Sequence, residues 1–275
     1  LPGETENDPA TAQRLAEGSD LFVQDAFGSV HRAHASTVAV AEILESVAGP
    51  LLDAELRSLS RFLSGTERPY TVVLGGAKVS DKLGVIENLL PKVDHMIIGG
   101  GMCFTFLRAM GHEVGNSLVE EPMLGAVSLL IAEDEGVDKI KLPASVVVAD
   151  SFSEDSRHRV VDIADIPEDW IGLDIGPVTA EAFAELIKES ASVFWNGPMG
   201  VFEWEAYRNG TATVARAMGE CPGFTAVGGG DSAAALRLLG LEATVSHLST
   251  GGGAGLEFLE GRILPGVAVL ERWVG

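Results

Sequence analysis

Cysteine is nearly absent from this 275-residue chain: Cys103 and Cys221 are its only two, and no C-x-x-C pair occurs. Two thiols build no disulfide framework, so a reducing, cytoplasmic setting is the expectation. Positive charge is scarce as well. Lys and Arg number 19 against 40 Asp and Glu, a formal net charge of −21. Such a field repels nucleic acid and anionic membrane, which are not expected partners, and a phosphate ligand has to be held by local groups. No apolar run reaches the roughly 20 residues of a membrane span. The opening residues, Leu1 to Pro9, are polar and lack the basic segment of a signal peptide. They also lack an initiator Met, which predicts a chain that is processed or part of something longer. What is present is ordinary: 46% hydrophobic and 21% charged residues exclude disorder, and the length suits one large domain or two smaller ones.

Short, mostly β-branched runs recur, each followed by a helical pattern. Strands are predicted at 21–25, 71–74, 95–98, 145–149, 171–174, 192–195, 223–227 and 244–248. Most are apolar throughout, as strands of a parallel sheet covered on both faces should be. Helical spacing lies between them, for example Val79, Leu83, Ile86 and Leu90. Strand alternating with helix predicts an α/β fold with a doubly wound parallel sheet. One stretch breaks the alternation. Helical patterns at 34–47 and 51–63 stand back to back around Gly49-Pro50, with Glu55 and its charged neighbours off the apolar stripe. A helix there reads as a connector. The expected division is a remnant of a second α/β domain at 1–48, a long linking helix at 49–66, a nucleotide-type domain at 67–250 and a C-terminal return segment at 251–275. The polar stretch 153–169 reads as surface loop.

The chain holds 33 glycines, and their placement is informative. Gly75-Gly76, Gly99-Gly100-Gly101, Gly176-Pro177, Gly197-Pro198, Gly228-Gly229-Gly230 and Gly251-Gly252-Gly253 all follow predicted strands and are expected to open helices on one sheet edge. Glycine lets backbone N–H groups approach an anion closely, and a helix N-terminus adds partial positive charge. Glycine also simply suits turns, but so many junctions together point to a phosphate or nucleotide site. No G-x-x-x-x-G-K-[ST] and no G-x-G-x-x-G occurs, which argues against a Walker A loop and a dinucleotide-binding dehydrogenase. Ser-His-Asp catalysis lacks its G-x-S-x-G.

Lys78 and Lys82 stand four apart beyond Gly76. On a helix starting there they share one face, either as a solvated pair or as a site whose anion offsets the helix dipole. Asp231, after three glycines, is an N-cap or a ligand of Mg2+ bridging phosphates. Arg32, between His31 and His34, is a structural residue or a bidentate anion clamp. The histidines have no further Cys or His to complete a zinc site.

These residues lie in longer runs: Gln24-Asp25-Ala26-Phe27-Gly28 with His31-Arg32-Ala33-His34; Gly75-Gly76-Ala77-Lys78-Val79-Ser80-Asp81-Lys82; Gly99-Gly100-Gly101-Met102; Gly172-Leu173-Asp174-Ile175-Gly176-Pro177; Trp195-Asn196-Gly197-Pro198-Met199-Gly200-Val201-Phe202-Glu203-Trp204-Glu205; Gly229-Gly230-Asp231-Ser232; and Ser249-Thr250-Gly251-Gly252-Gly253-Ala254. Together, and in this order, they resemble the phosphoglycerate kinase family. The resemblance implies a two-domain, Rossmann-like kinase moving a phosphoryl group between 1,3-bisphosphoglycerate and ADP with Mg2+, yielding 3-phosphoglycerate and ATP in glycolysis. It implies that Lys78 and Lys82 meet nucleotide phosphates and the transferring group. Gly172 and Glu203 would meet the nucleoside, with Asn196, Gly76, Gly100 and Gly101 in the same pocket. Gly229, Gly230, Asp231 and Ser232 would form the phosphate and metal loop, Gly251, Gly252 and Gly253 would meet the transferred group, and Arg32 would bind phosphoglycerate.

The family's N-terminal portion, with most of its phosphoglycerate-binding basic residues, is absent from this stretch. Small-molecule partners and a monomeric whole enzyme are expected. For residues 1–275 alone, poor packing of the 1–48 remnant and negligible turnover are expected. The alternative reading is an inactive fragment that binds ADP or ATP.

Overall fold

The computed structural model describes residues 1–132 and 138–273, and it divides into two compact units: residues 1–64 with 249 onward, and Gly65–Leu248. The helix Pro50–Ser60 and the C-terminal segment from Ser249 therefore belong with the N-terminal residues; residues 274 and 275 of the expected return segment lie outside the described residues.

In the first unit, β1 (Leu21–Gln24) pairs in parallel with β2 (Glu45–Ala48). The helical pattern expected over 34–47 is thus cut short. A π-helical turn Ala35–Ala39 and one α-turn Val40–Ile43 are followed by strand, because parallel pairing with β1 takes residues 45–48. The unit has its own small core of Ala12, Ala16, Ala35, Ala39 and Val40, onto which Phe22 packs. Alternation along the strand puts Leu21 and Val23 on the opposite face, each 48% exposed. Packing of 1–48 is therefore one-sided: one strand face is covered by its own helices, and the other is about half exposed. The helix Pro50–Ser60 starts where Pro50 suits the first turn and Asp25 Oδ1 accepts from the Leu51 and Leu52 amides (2.7 and 2.9 Å).

The second unit is built on a six-stranded, all-parallel sheet of β3 (Tyr70–Leu74), β4 (His95–Ile98), β5 (Ile140–Lys141), β9 (Ser192–Asn196), β10 (Phe224–Gly228) and β11 (His247–Leu248). Their order across the sheet is β11–β10–β9–β3–β4–β5. Val73, Ile97, Val193, Trp195 and Val227 form its core with Phe183, Ile187, Val214, Met218 and Leu236 from helices Pro177–Lys188, Asn209–Glu220 and Gly230–Leu239. Beside it lies a three-stranded antiparallel sheet, in which β6 (Ser145–Ala149) sits between β7 (His158–Asp162) and β8 (Ile171–Ile175).

Two expectations change here. The runs at 145–149 and 171–174 are strands, but antiparallel ones outside the parallel sheet; burial on both faces yields the same continuous apolar pattern in either direction. The polar stretch 153–169 contains β7, an edge strand whose residues are almost all exposed, so no apolar alternation marked it.

Candidate functional site

The second sheet unit winds from β3 to β4 and β5 on one side and from β9 to β10 and β11 on the other. The direction reverses between β3 and β9, and in such sheets ligands bind beyond the carboxyl ends of the strands at that switch point. Contrary to expectation, Gly75-Gly76 and Gly197-Pro198, after these two strands, do not open helices; the amides of the first loop, with that of Gly100, bond to carbonyls around the second. The Gly75 N–H donates to Asn196 O (2.9 Å), Gly76 N–H to Pro198 O (2.8 Å) and Gly100 N–H to Met199 O (3.0 Å). At Gly100, φ is +62° and a Cβ would fall 2.5 Å from Gly76 N and 2.7 Å from Pro198 O, so only glycine fits. Helices do begin just after Gly99–Gly101, at Gly230, and at Pro177 following β8 of the smaller sheet. The clusters therefore do not all line one sheet edge.

Lys78 and Lys82 do not share a helical face. Residues 79–82 form a turn, held by the Lys82 N–H to Val79 O bond, and the helix begins only at Leu83. The left-handed Gly76 (φ +88°) and its bonds to the β9 loop take the chain away from helix. Lys78 is exposed. Lys82 is 8% exposed, and its ammonium spans the switch point to donate to the Asn196 carbonyl (3.3 Å) and to Asn196 Oδ1. Burial pulls its pKa down to about 8, against a smaller upward pull from Asp81 and Asp231. Among the described residues, the buried Asn196 Nδ2 meets no hydrogen-bond acceptor.

Beside this pair opens a cavity of about 340 Å3 whose lining includes the expected Gly76, Gly100, Gly101, Gly172, Glu203 and Asp231. Its other walls are largely apolar, with Phe104, Leu118, Phe152, Leu173 and Met199, an environment suited to an aromatic base. Phe104 packs so closely that Gly172 has no room for a Cβ. Leu118, Phe152 and Cys103 lie in ordinary apolar or loop sequence and carried no signal. Asp174 stands within the Gly172–Pro177 run; its carboxylate accepts from the Ile175 and Gly210 amides (2.9 and 2.8 Å), and burial pushes its pKa up to about 7 against those two bonds.

Helix Gly230–Leu239 brings its first turn to the same place. Asp231 is exposed there, with Gly229 left-handed before it at φ +92°. Ser232 is fully buried and its Oγ accepts from the Gly197 amide (2.6 Å), tying the two loops together. A single exposed carboxylate at a glycine-rich helix start fits Mg2+, which takes one or two carboxylates and completes its shell with phosphates and water. Among the described residues no three His, Cys, Asp or Glu side chains converge as a self-contained metal cage. Gly230 has open space where a Cβ would go. Gly230→Ala is therefore expected to keep or raise the unfolding midpoint, since Ala favours helix. It is also expected to weaken any anion held at this helix start, by denying it close approach to the backbone; calorimetry with a phosphate-bearing ligand beside thermal unfolding checks both.

Arg32 and Gly251, Gly252 and Gly253 belong to the first unit. There Gly253 lies against His31, whose Nε2 would be 3.2 Å from a Cβ on that glycine, and Gly251 lies against Phe27. Arg32 is exposed. Glu55, expected on an exposed face, is 2% exposed because its Oε1 accepts from the Thr250 amide and hydroxyl (2.6 and 2.8 Å), anchoring the loop before Gly251. A buried acid on an amphipathic helix gives no sign of a partner nearly 200 residues away.

Among the described residues, no helix is long and apolar enough to cross a membrane. The phosphoglycerate kinase family profile matches residues 1–262. The phosphoglycerate kinase of Rubrobacter xylanophilus is 56% identical over 271 residues, which is 98% of this chain and 69% of that protein. That of Roseiflexus sp. RS-1 is 54% identical over 272 residues, with the same coverage. Among solved structures, phosphoglycerate kinase from Coxiella burnetii superposes with a TM-score of 0.93 at 43% identity, covering 99% of this chain and 71% of that one. The Pyrococcus horikoshii enzyme gives 0.86 at 29% identity, covering 98% and 70%.

Proposed function

Since the chain belongs to the phosphoglycerate kinase family, we propose that its second unit holds ADP or ATP at the β3/β9 switch point for phosphoryl exchange with the 1,3-bisphosphoglycerate/3-phosphoglycerate pair. The observation that carries this reading is the buried Lys82–Asn196 pair beside an apolar cavity: a desolvated cation and an unpartnered amide wait where nucleotide phosphates would lie.

In the forward direction a β-phosphate oxygen of ADP attacks the acyl phosphorus. The P–O bond to the carboxyl carbon's oxygen breaks, and 3-phosphoglycerate leaves as a carboxylate. Nucleophile and leaving group are both anions, so no proton moves and no general base is needed. The chain's work is positioning and charge neutralisation. Phe104, Leu118 and Met199 would enclose the base beside Gly172, and Glu203 would accept from the ribose. Lys82 and Lys78 would meet the phosphates, with amides of Gly229 and Gly230 at the helix N-terminus. When bound, Mg2+ supplies charge neutralisation across the nucleotide phosphates, and Asp231 would hold it. In the first unit, Arg32 would take the phosphoglycerate side and the Gly251–Gly253 amides the transferred group. On this reading Gly65–Leu248 is the nucleotide domain.

Calorimetry tests the reading directly. Residues 1–275 are expected to bind Mg·ADP, since the switch-point loops are all present. The absence of both binding heat and a thermal shift at millimolar ligand would overturn it.

A further inference from the structure

We infer that Glu120 is a positioning residue for the nucleotide phosphates: it holds the Ser80 turn, and with it the backbone from which Lys78 and Lys82 project. The inference rests on the proposed role of those lysines and adds what keeps them in place.

The turn is closed by the Lys82 N–H to Val79 O bond and packed through the buried Val79 and Lys82, but between them Ser80 is exposed. That residue is held from forty residues away. Glu120 accepts from the Ser80 amide through Oε2 (3.1 Å) and from the Ser80 hydroxyl through Oε1 (2.7 Å), a two-oxygen grip on the residue between the two lysines. Burial alone would raise the Glu120 carboxyl, but the Ser80 bonds together with Lys78 hold it below the ordinary carboxylate range, so the grip is made by the anion at neutral pH.

Glu120 is itself fixed. Its amide donates to Thr105 Oγ1 (3.1 Å), on a residue 1% exposed in the helix that follows Gly99–Gly101. The strap that carries it is pinned at its other end as well, where the Asn116 amide donates to Trp170 O (2.8 Å) and Ser117 Oγ accepts from the Gly172 amide (2.9 Å). Leu118, between these anchors, lines the nucleotide cavity. One short strap thus connects the floor strand of the cavity, through its wall, to the lysine turn. The geometry sets the phosphate end of the site relative to the base end.

The test compares Mg·ADP with adenosine, which has the base and ribose but no phosphate, on the same chain. Glu120→Ala is expected to raise the Kd for Mg·ADP about tenfold, the scale of a lost charge-assisted hydrogen bond. Adenosine, measured by competition, should be unchanged within about twofold by the same reasoning. Glu120→Gln keeps the side-chain volume and one acceptor and should lie between. Ser80→Ala should cost little once Glu120 is gone, because the two act as one unit. Equal weakening of Mg·ADP and adenosine, or no weakening of either by Glu120→Ala and Glu120→Gln, would overturn the inference. Lys82→Ala run in parallel separates it from its premise. If Lys82→Ala binds Mg·ADP normally, the role given to the lysines fails; if it weakens binding while Glu120→Ala does not, only the role of Glu120 fails.

Discussion

Lys82→Ala is expected to lower kcat by about a hundred- to a thousand-fold, the scale seen when one preorganised donor is removed from a developing or transferring charge, while leaving the fold at least as stable. The two effects part because of where the ammonium sits. It is buried, its acceptors are neutral oxygens of Asn196, and burial outweighs Asp81 and Asp231 to bring its pKa from the ordinary 10.5 to about 8. At about 1.4 kcal/mol per factor of ten, that displacement corresponds to something on the order of 3 kcal/mol held against folding at neutral pH. Below pH 8 the folded and unfolded chains both carry the proton and the penalty is fully present. Between 8 and 10.5 the unfolded chain still binds it and the folded chain does not, so stability rises with pH. Chemical denaturation of the parent and of Lys82→Met across this window should show that rise in the parent alone. A flat difference between the two would mean that the ammonium is solvated. Kinetics of Lys82→Ala in the whole enzyme check the other half; near-parental turnover would remove Lys82 from the phosphoryl site.

Gly172→Ala is expected to close the base end of the cavity. A Cβ at 172 would lie 1.9 Å from Phe104 Cζ and within 2.7 Å of both Cε atoms, and Phe104 is itself only 2% exposed. The ring cannot retreat into a packed core without straining it, at a cost of about 1–3 kcal/mol. It can move toward the cavity that Phe104 and Gly172 both line. The expected result is a Kd for Mg·ADP raised by about tenfold or more, with adenosine weakened to the same degree because the base is what loses room. This signature is opposite to that of Glu120→Ala. Adding Phe104→Leu removes the far end of the ring and should recover most of the affinity. If Gly172→Ala binds adenosine as the parent does, the base lies elsewhere.

The glycine junctions and the runs around Lys82, Asn196 and Asp231 were legible because backbone turns and short motifs are local. The same locality explains the misses. A spacing of four between Lys78 and Lys82 predicts a shared helical face, yet Gly76 and Gly100 bond across to the β9 loop and the helix starts five residues later than Lys78. Residues 45–47 lie in the helical pattern of 34–47 but pair, together with Ala48, as a strand with residues 21–24. The edge strand 158–162 shows no alternation, because neither of its faces is buried.

By itself the sequence determined the alternation of strand and helix, the clustering of glycine at strand ends and the family. These follow from residue type and short spacing, which set local conformation before any long-range contact forms. Only the tertiary structure decided which of two similar lysines is desolvated, that Glu55 is buried against Thr250, that Phe104 leaves Gly172 no alternative, and that Glu120 grips the turn at Ser80. Burial and hydrogen bonding are sums over neighbours distant along the chain, and a side chain's charge, reach and freedom are settled only once those neighbours have arrived.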